Sequence, residues 1–283
     1  MMRGVTALTG AIVAMWAAGA AQAADLPART AGTLVQTAAP NDWTVTIGAE
    51  GSVVPRYQGA DHYIFRPVPL FDIRKAGTPP RFHSPRESFG FGLVDLGNFR
   101  AGPVGKLLYS RKEGDDDNLR GLGDIDWGVE VGGFVEYWPL QWLRAYAELR
   151  QGFSAHHGLV SDILIDAVYR VTPQLTLSAG PRLTLESAAA VSPYFDVTPA
   201  QSAASGLPVY DAGGGITSWG VGGQARYQWS PQWLTYTYVE YQRLVGDVAD
   251  APLVSLRGSR DQFQVGLGVS YSFDVPALIP GLV

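Results

Sequence analysis

The sequence predicts an all-β, transmembrane, antiparallel up-and-down barrel of twelve strands, with short turns at one end and longer loops at the other. Three observations carry that expectation. Runs of about ten residues alternate between apolar and polar side chains, the period-two signature of a strand with two unlike faces. After the N-terminal leader no window approaches 18 consecutive apolar residues, so no helical span is available. The links between runs alternate between tight and long, as in an outer-membrane meander.

Composition narrows the alternatives. The 283 residues are 46% apolar and 17% charged, with 34 glycines, 8 tryptophans and 13 tyrosines. Cysteine is absent, which excludes disulfides, thiolate metal sites, a thiol nucleophile and a lipidated N-terminal cysteine. A net charge of −5 gives no electrostatic reason to expect nucleic acid as a partner.

The chain opens with Arg3, an apolar run from about Val5 to Ala18, and Ala21-Gln22-Ala23, a small-x-small cleavage pattern. Residues 1–23 are therefore expected to be a signal peptide, 24–42 a flexible Ala/Thr/Pro-rich spacer, 43–273 the barrel and 274–283 a tail. The first strand, Trp43–Val53, places Trp, Val, Ile, Ala, Gly and Val on odd positions and Thr, Thr, Gly, Glu and Ser on even ones. Runs at Tyr63–Arg74, Phe82–Ser84, Ser88–Asp95, Phe99–Ser110, Asp126–Trp138, Trp142–Gln151 and Asp162–Val171 follow, that at Phe82 being short. Leu175–Glu186, Trp219–Trp229, Trp233–Leu244 and Phe263–Phe273 complete the twelve, three of them with clean alternation. Pro139-Leu140-Gln141, Thr172-Pro173-Gln174 and Ser230-Pro231-Gln232 read as tight turns. Arg111–Gly123, Ala188–Gly215 and Gly246–Arg260 read as long loops.

A soluble barrel also alternates, but keeps its apolar face inside. Here charges lie deep within strands, and Glu50, Arg66, Arg100, Lys106, Glu130, Glu136, Arg144, Glu148, Arg182 and Arg226 are the candidates to line a polar lumen. Aromatics gather at strand ends on the apolar face: Trp43, Phe71, Tyr109, Trp127, Tyr137, Trp229, Trp233 and Phe273 form a candidate interfacial girdle. Both features put lipid outside.

Chemistry is sparse. Ser154, His156, His157 and Asp162 cluster in sequence without a nucleophile-elbow pattern, and Asp61-His62 facing His156 is the other imaginable pair. Neither compels an enzyme, and no catalytic or cofactor-binding residue is expected. Glu113-Gly114-Asp115-Asp116-Asp117-Asn118 offers oxygen ligands but lacks the ligand order of a calcium loop, so it reads as a solvated acidic loop and no metal site is expected. The 188–215 connection carries Tyr194, Phe195, Asp196 and Tyr210, which either constrict the barrel mouth or pack against other loops.

The stretch Pro55-Arg56-Tyr57-Gln58-Gly59-Ala60-Asp61-His62-Tyr63, followed by Arg66-Pro67-Val68-Pro69, resembles the opening of the MltA-interacting protein/OmpV-like outer-membrane family. Gly102-Pro103 with Arg111, the run Leu119–Ile125, Ser192–Val197, Ser205–Tyr210 and Leu244–Val254 look like the same family in the same order. The resemblance implies a cell-envelope scaffold joining a lytic transglycosylase to a penicillin-binding protein, amid outer-membrane lipid and lipopolysaccharide, and supplies no catalytic residues. The rival expectation is a small-solute channel, ligand-binding or adhesin-type barrel gated by the 188–215 loop.

Overall fold

The computed structural model describes residues 42–78 and 80–276, so the expected signal peptide, the expected spacer up to 41 and most of the expected tail lie outside the described residues. Ten long strands and two short pieces form one antiparallel sheet. The long strands are β1 (Trp43–Pro55), β2 (Tyr63–Lys75), β5 (Phe99–Leu108), β6 (Gly128–Leu140), β7 (Leu143–Phe153), β8 (Leu159–Arg170), β9 (Leu175–Glu186), β10 (Gly215–Gln228), β11 (Trp233–Leu244) and β12 (Asp261–Val275). The short pieces are β3 (Phe89–Gly90) and β4 (Val94–Asp95). Sequence neighbours pair from β5 round to β12, and β12 pairs β1, which pairs β2. No helix among the described residues is long and apolar enough to cross a membrane.

Because every long strand alternates, side-chain direction follows residue parity. Even-numbered residues point to the inside of the curled sheet and odd-numbered ones outward, from Thr44 in β1 to Ser270 in β12. The inward residues are the buried ones: Arg144 and Arg150 are 0% exposed. Outward apolar residues are bare, with Leu267 at 64% and Val221 at 49% exposed. A soluble protein would leave the reverse pattern, so the exterior is built for lipid.

Aromatic side chains fall at two levels on that exterior. Trp233 packs on Tyr271 (ring centroids 4.9 Å) and Tyr227 on Trp229 (4.5 Å) near the tight turns. Tyr241 packs on Phe263 (5.1 Å) near the long loops. Of the expected girdle, Phe71, Tyr109, Trp127, Tyr137, Trp229, Trp233 and Phe273 are exposed, and Trp43 is half-buried.

Several boundaries differ from the sequence reading: β8 begins at Leu159 rather than Asp162, β10 at Gly215 rather than Trp219, and Pro139 and Leu140, read as turn, belong to β6. Residues 82–84 are not a strand. Pro80 and Pro85 remove donors that a ladder needs, and the segment instead runs inside the sheet as a strap. The Ser88–Asp95 run is split into β3 and β4, joined by Phe91 N–H donating to the Pro103 carbonyl and Leu93 N–H to that of Ala101. β12 continues past Phe273 to Val275, where it pairs Trp43.

The strap leaves its mark on the wall. β2 runs toward the tight-turn end and β3–β4 run the same way, so the rising stretch between them is the one that left the sheet. The sheet accordingly ends at β2 on one side and at β3–β4 on the other, and among the described residues no backbone hydrogen bond joins these edges.

The long connections are not irregular. Ala188–Phe195 (α1) and Pro199–Ser205 (α2) fold within 187–214, and Gly246–Asp250 (α3) and Pro252–Ser255 (α4) within 245–260. Helix α2 has a capping box: Thr198 Oγ1 accepts from Gln201 N–H, Pro199 opens the first turn, and Gly206 closes the helix at φ 77°.

Candidate functional site: the lumen and its cap

The inner faces of β6 to β9 carry the largest group of polar side chains. Arg144 (β7) donates to Glu136 (β6) through Nε and Nη2 at 2.9 and 2.7 Å. It also reaches Glu87 of the strap at 2.6 Å and Asp166 (β8) at 3.3 Å. Arg150 donates to Glu130 at 2.6 Å and Asp162 at 2.8 Å, and contacts Glu148. Arg182 (β9) meets Asp166 at 2.6 Å. Glu148 further accepts from Tyr146 Oη and from Ser88 Oγ, both at 2.8 Å.

The strap ties this face to the opposite wall. Arg86 bonds Asp162 (β8), Thr184 (β9) and Glu240 (β11), while Arg182 Nη2 donates to Ser84 Oγ. Phe82 lies under Arg144, its ring 5.2 Å from the guanidinium. Isolated buried charges would cost many kcal/mol; each guanidinium here is matched by carboxylates, so the cluster is tolerated. Val104, Phe134, Tyr146 and Leu164 form a small apolar core beside it.

The expected lumen residues therefore divide. Glu130, Glu136, Arg144, Glu148 and Arg182 join in the network. Glu50 stands apart, accepting from Tyr236 Oη (2.5 Å) and Tyr238 Oη (2.8 Å). Arg66 lies over the Tyr109 ring at 5.1 Å, Arg100 over Phe134 at 5.9 Å, and Arg226 donates to the Arg81 carbonyl at 3.4 Å. Lys106 is exposed. Sequence reasoning missed Arg86, Glu87, Arg150, Asp162, Tyr236 and Glu240 as lumen residues. For Arg150 and Glu240 the even parity was signal enough; for Arg86 and Glu87 there was none, because the strap has no period.

At the long-loop end the connections pack into a cap with its own core. One cluster joins Val191, Phe195, Ala212, Leu244, Val248, Ala249, Ala251 and Val254; a second joins Tyr57, Ala60, Leu119, Leu122, Val197, Leu207 and Leu253. Phe195 is within the first, and Tyr194 and Tyr210 pack against it. Asp196 accepts from Ala212 N–H at 2.8 Å, and Tyr210 Oη donates to the Asp247 carbonyl at 2.8 Å. The four residues named as a constriction thus hold loop to loop.

Arg111 explains part of the cap's order. Its guanidinium donates to the Tyr194 carbonyl (2.7 Å) and reaches that of Pro193, satisfying the last turn of α1, where a cation is favoured. Burial without a carboxylate partner pulls its pKa down to about 10. Burial likewise pushes the phenols of Tyr57 and Tyr194 up to about 12.

The acidic loop is internally hydrogen-bonded rather than merely solvated. Glu113 Oε2 accepts from Gly121 and Gly123 N–H, Asp115 Oδ2 from Lys112 N–H, and Asp116 Oδ1 from Asn118 N–H. Its remaining carboxylate edge meets His62 and Arg56. Among the described residues no group of three or more His, Asp or Glu is placed to hold a metal ion.

The hydrolytic candidates are not assembled. His156 Nδ1 accepts from Gly158 N–H, so Nε2 carries the proton and donates to Glu130 at 3.0 Å, leaving no ring nitrogen for Ser154. Asp162 belongs to β8 and is taken by Arg150, Arg86 and Thr184. His62 turns to Asp61 and Asp116, not toward His156.

Lipid-facing odd positions, inward charges and the asymmetry of turns and loops define an outer-membrane β-barrel protein. The model of the family described as MltA-interacting protein MipA matches residues 47–273, and the chain belongs to that family. No curated protein matches. Among solved structures, an outer-membrane channel from Pseudomonas putida F1 is similar at 10% identity and TM-score 0.42, over 82% of this chain and 96% of that one. The CymD monoaromatic hydrocarbon channel is similar at 8% identity and TM-score 0.36, over 84% and 90%. Outer-membrane expressed OmpT of Vibrio cholerae gives 9%, 0.35, 82% and 97%.

Proposed function

We propose that the protein is exported by its N-terminal signal and serves in the outer membrane as a scaffold that holds a lytic transglycosylase, and with it a penicillin-binding protein, against the inner leaflet. The family match carries this reading, since the family is described by its interaction with MltA. The interior supports it. The β6–β9 ion pairs fill one side of the lumen, the strap reaches from them to Glu240 of β11, and the long loops pack an apolar core at their end of the barrel. Cross-linking of this kind stiffens the barrel, which suits an anchor better than a channel gated by residues 188–215. The tight-turn end, with β6–β7, β8–β9 and β10–β11 hairpins, is the periplasmic end in this architecture and is the surface offered to a partner. Lipid and lipopolysaccharide surround the wall.

The test is retention of a purified soluble lytic transglycosylase on the detergent-solubilised, tagged protein, repeated after replacing the tight-turn residues Gln141-Trp142 and Pro231-Gln232 by Gly-Ser. Retention that falls at least tenfold on turn replacement is expected. No retention at micromolar concentrations of both proteins would overturn the scaffold reading.

A further inference from the structure

The two unpaired edges of the sheet differ from every other part of the wall. Ala76 N–H donates to the Asp42 carbonyl and Arg56 N–H to that of His62, so at both ends of the β1–β2 ladder the even-numbered backbone groups of β2 face β1. The register is unbroken between these points. The odd-numbered N–H and C=O groups therefore face the seam, and at its middle two of them are Pro67 and Pro69, which have no N–H to offer. An edge with donors missing at successive seam-facing positions cannot be closed by ordinary strand pairing.

The side chains along this edge fit the same account. From residue 64 to 70 the inward side chains of β2 are Ile64, Arg66, Val68 and Leu70, three of the four apolar, while Phe65 and Phe71 face out. Across the gap Phe89 and Leu93 are among the most exposed apolar residues of the molecule, at 66% and 73%. Two apolar faces around an unpaired edge are what hydrocarbon would wet from both sides. At the long-loop end of the gap, Arg66 reaches over to Tyr109 and forms no ion pair among the described residues, unlike Arg144, Arg150 and Arg182 on the far wall.

We propose that the seam between β2 and β3–β4 is a lateral lipid site: an acyl chain of a phosphorylated lipid of the outer leaflet lies along the β2 edge and reaches the inner face at Val68, with its phosphate held by Arg66. Among the described residues Arg66 has an aromatic ring and no carboxylate as partner, and a guanidinium suits a bidentate phosphate contact. The occupant is a lipid rather than a second copy of the chain, because the prolines that prevent closure also prevent edge-to-edge pairing between copies.

The absence of cysteine makes the test direct. Single variants Val68→Cys, Thr176→Cys and Leu267→Cys of the full chain, labelled with a bimane fluorophore, are reconstituted in phosphatidylcholine vesicles containing lipids with brominated acyl chains. Leu267 faces lipid and Thr176 faces the lumen on the far wall, so they set the two limits. Quenching at position 68 within twofold of that at 267 is expected, and quenching no greater than at 176 would overturn the site. With brominated phosphatidic acid in place of brominated phosphatidylcholine, quenching at 68 should rise at least threefold at equal mole fraction. Arg66→Gln should remove that preference and Arg66→Lys should keep part of it. A wild-type protein with no preference, or one whose preference vanishes in millimolar inorganic phosphate, would overturn the headgroup assignment, the second result showing a site for free phosphate alone.

Discussion

Two walls of the same sheet solve the problem of the interior in opposite ways. On β6 to β9 the buried guanidiniums of Arg144, Arg150 and Arg182 have carboxylate partners, and each strand pairs with both neighbours. On β2 and β5 the inward cations Arg66, Arg100 and Lys106 form no ion pairs among the described residues, only Arg74 at the tight-turn end of β2 meeting Asp72, and the ladder stops. The difference teaches that a strand ladder and a charge network support each other. A buried ion pair survives only where the wall behind it is closed enough to hold its geometry, and the wall is most regular where its inward residues cross-link neighbouring strands.

The largest expected effect separates the two walls. Arg150→Ala removes the cation that Glu130, Glu148 and Asp162 share and should cost about 3–5 kcal/mol, read by urea unfolding in detergent micelles. Arg66→Ala, which loses a cation–π contact at an open edge, should cost about 1 kcal/mol or less. Equal losses would erase the contrast. Inside and outside are tested next: Val221→Arg should cost about 2–4 kcal/mol near the bilayer midplane, whereas Gln224→Arg, three residues on and inward, should cost much less. The smallest effect lies in the cap. Hydrogen bonds to Asp61 and then Asp116 raise the pKa of His62 above its ordinary value. A raised folded value means the charged ring stabilises the cap fully below about pH 6.5 and less as pH climbs through the raised value. Amide exchange at Leu119 and Leu122, corrected for its intrinsic pH dependence, should accelerate over that window and lose the excess slope in His62→Gln.

Most of the barrel could be read from period-two alternation because lipid and lumen impose a strict parity on every strand. The lumen residues on long strands followed from it, as Glu130, Glu136, Arg144 and Glu148 show. The strap was beyond reach: residues 80–88 have neither period, and their place is set by partners as distant as Glu240. The cap helices were missed, 188–215 and 246–260 being read only as loops. Thr198-Pro199 with Gln201 and then Gly206 spells a capped helix, but the segment is short and its neighbours are too evenly apolar to show a helical stripe. What 188–215 packs against could not be read at all, because the facing residues come from three other loops.

The strap also has a consequence for the order of assembly. Arg144 and Glu136 are 8 residues apart and Arg150 and Asp162 are 12, so those charges can neutralise one another as soon as their hairpins form. Arg86 can meet Asp162 once β8 has formed, but its other carboxylate, Glu240, lies 154 residues further along and arrives only when β11 is in place. The tie across the bore is thus a late clasp, and a chain stalled before β11 would hold Arg86 by one carboxylate instead of two.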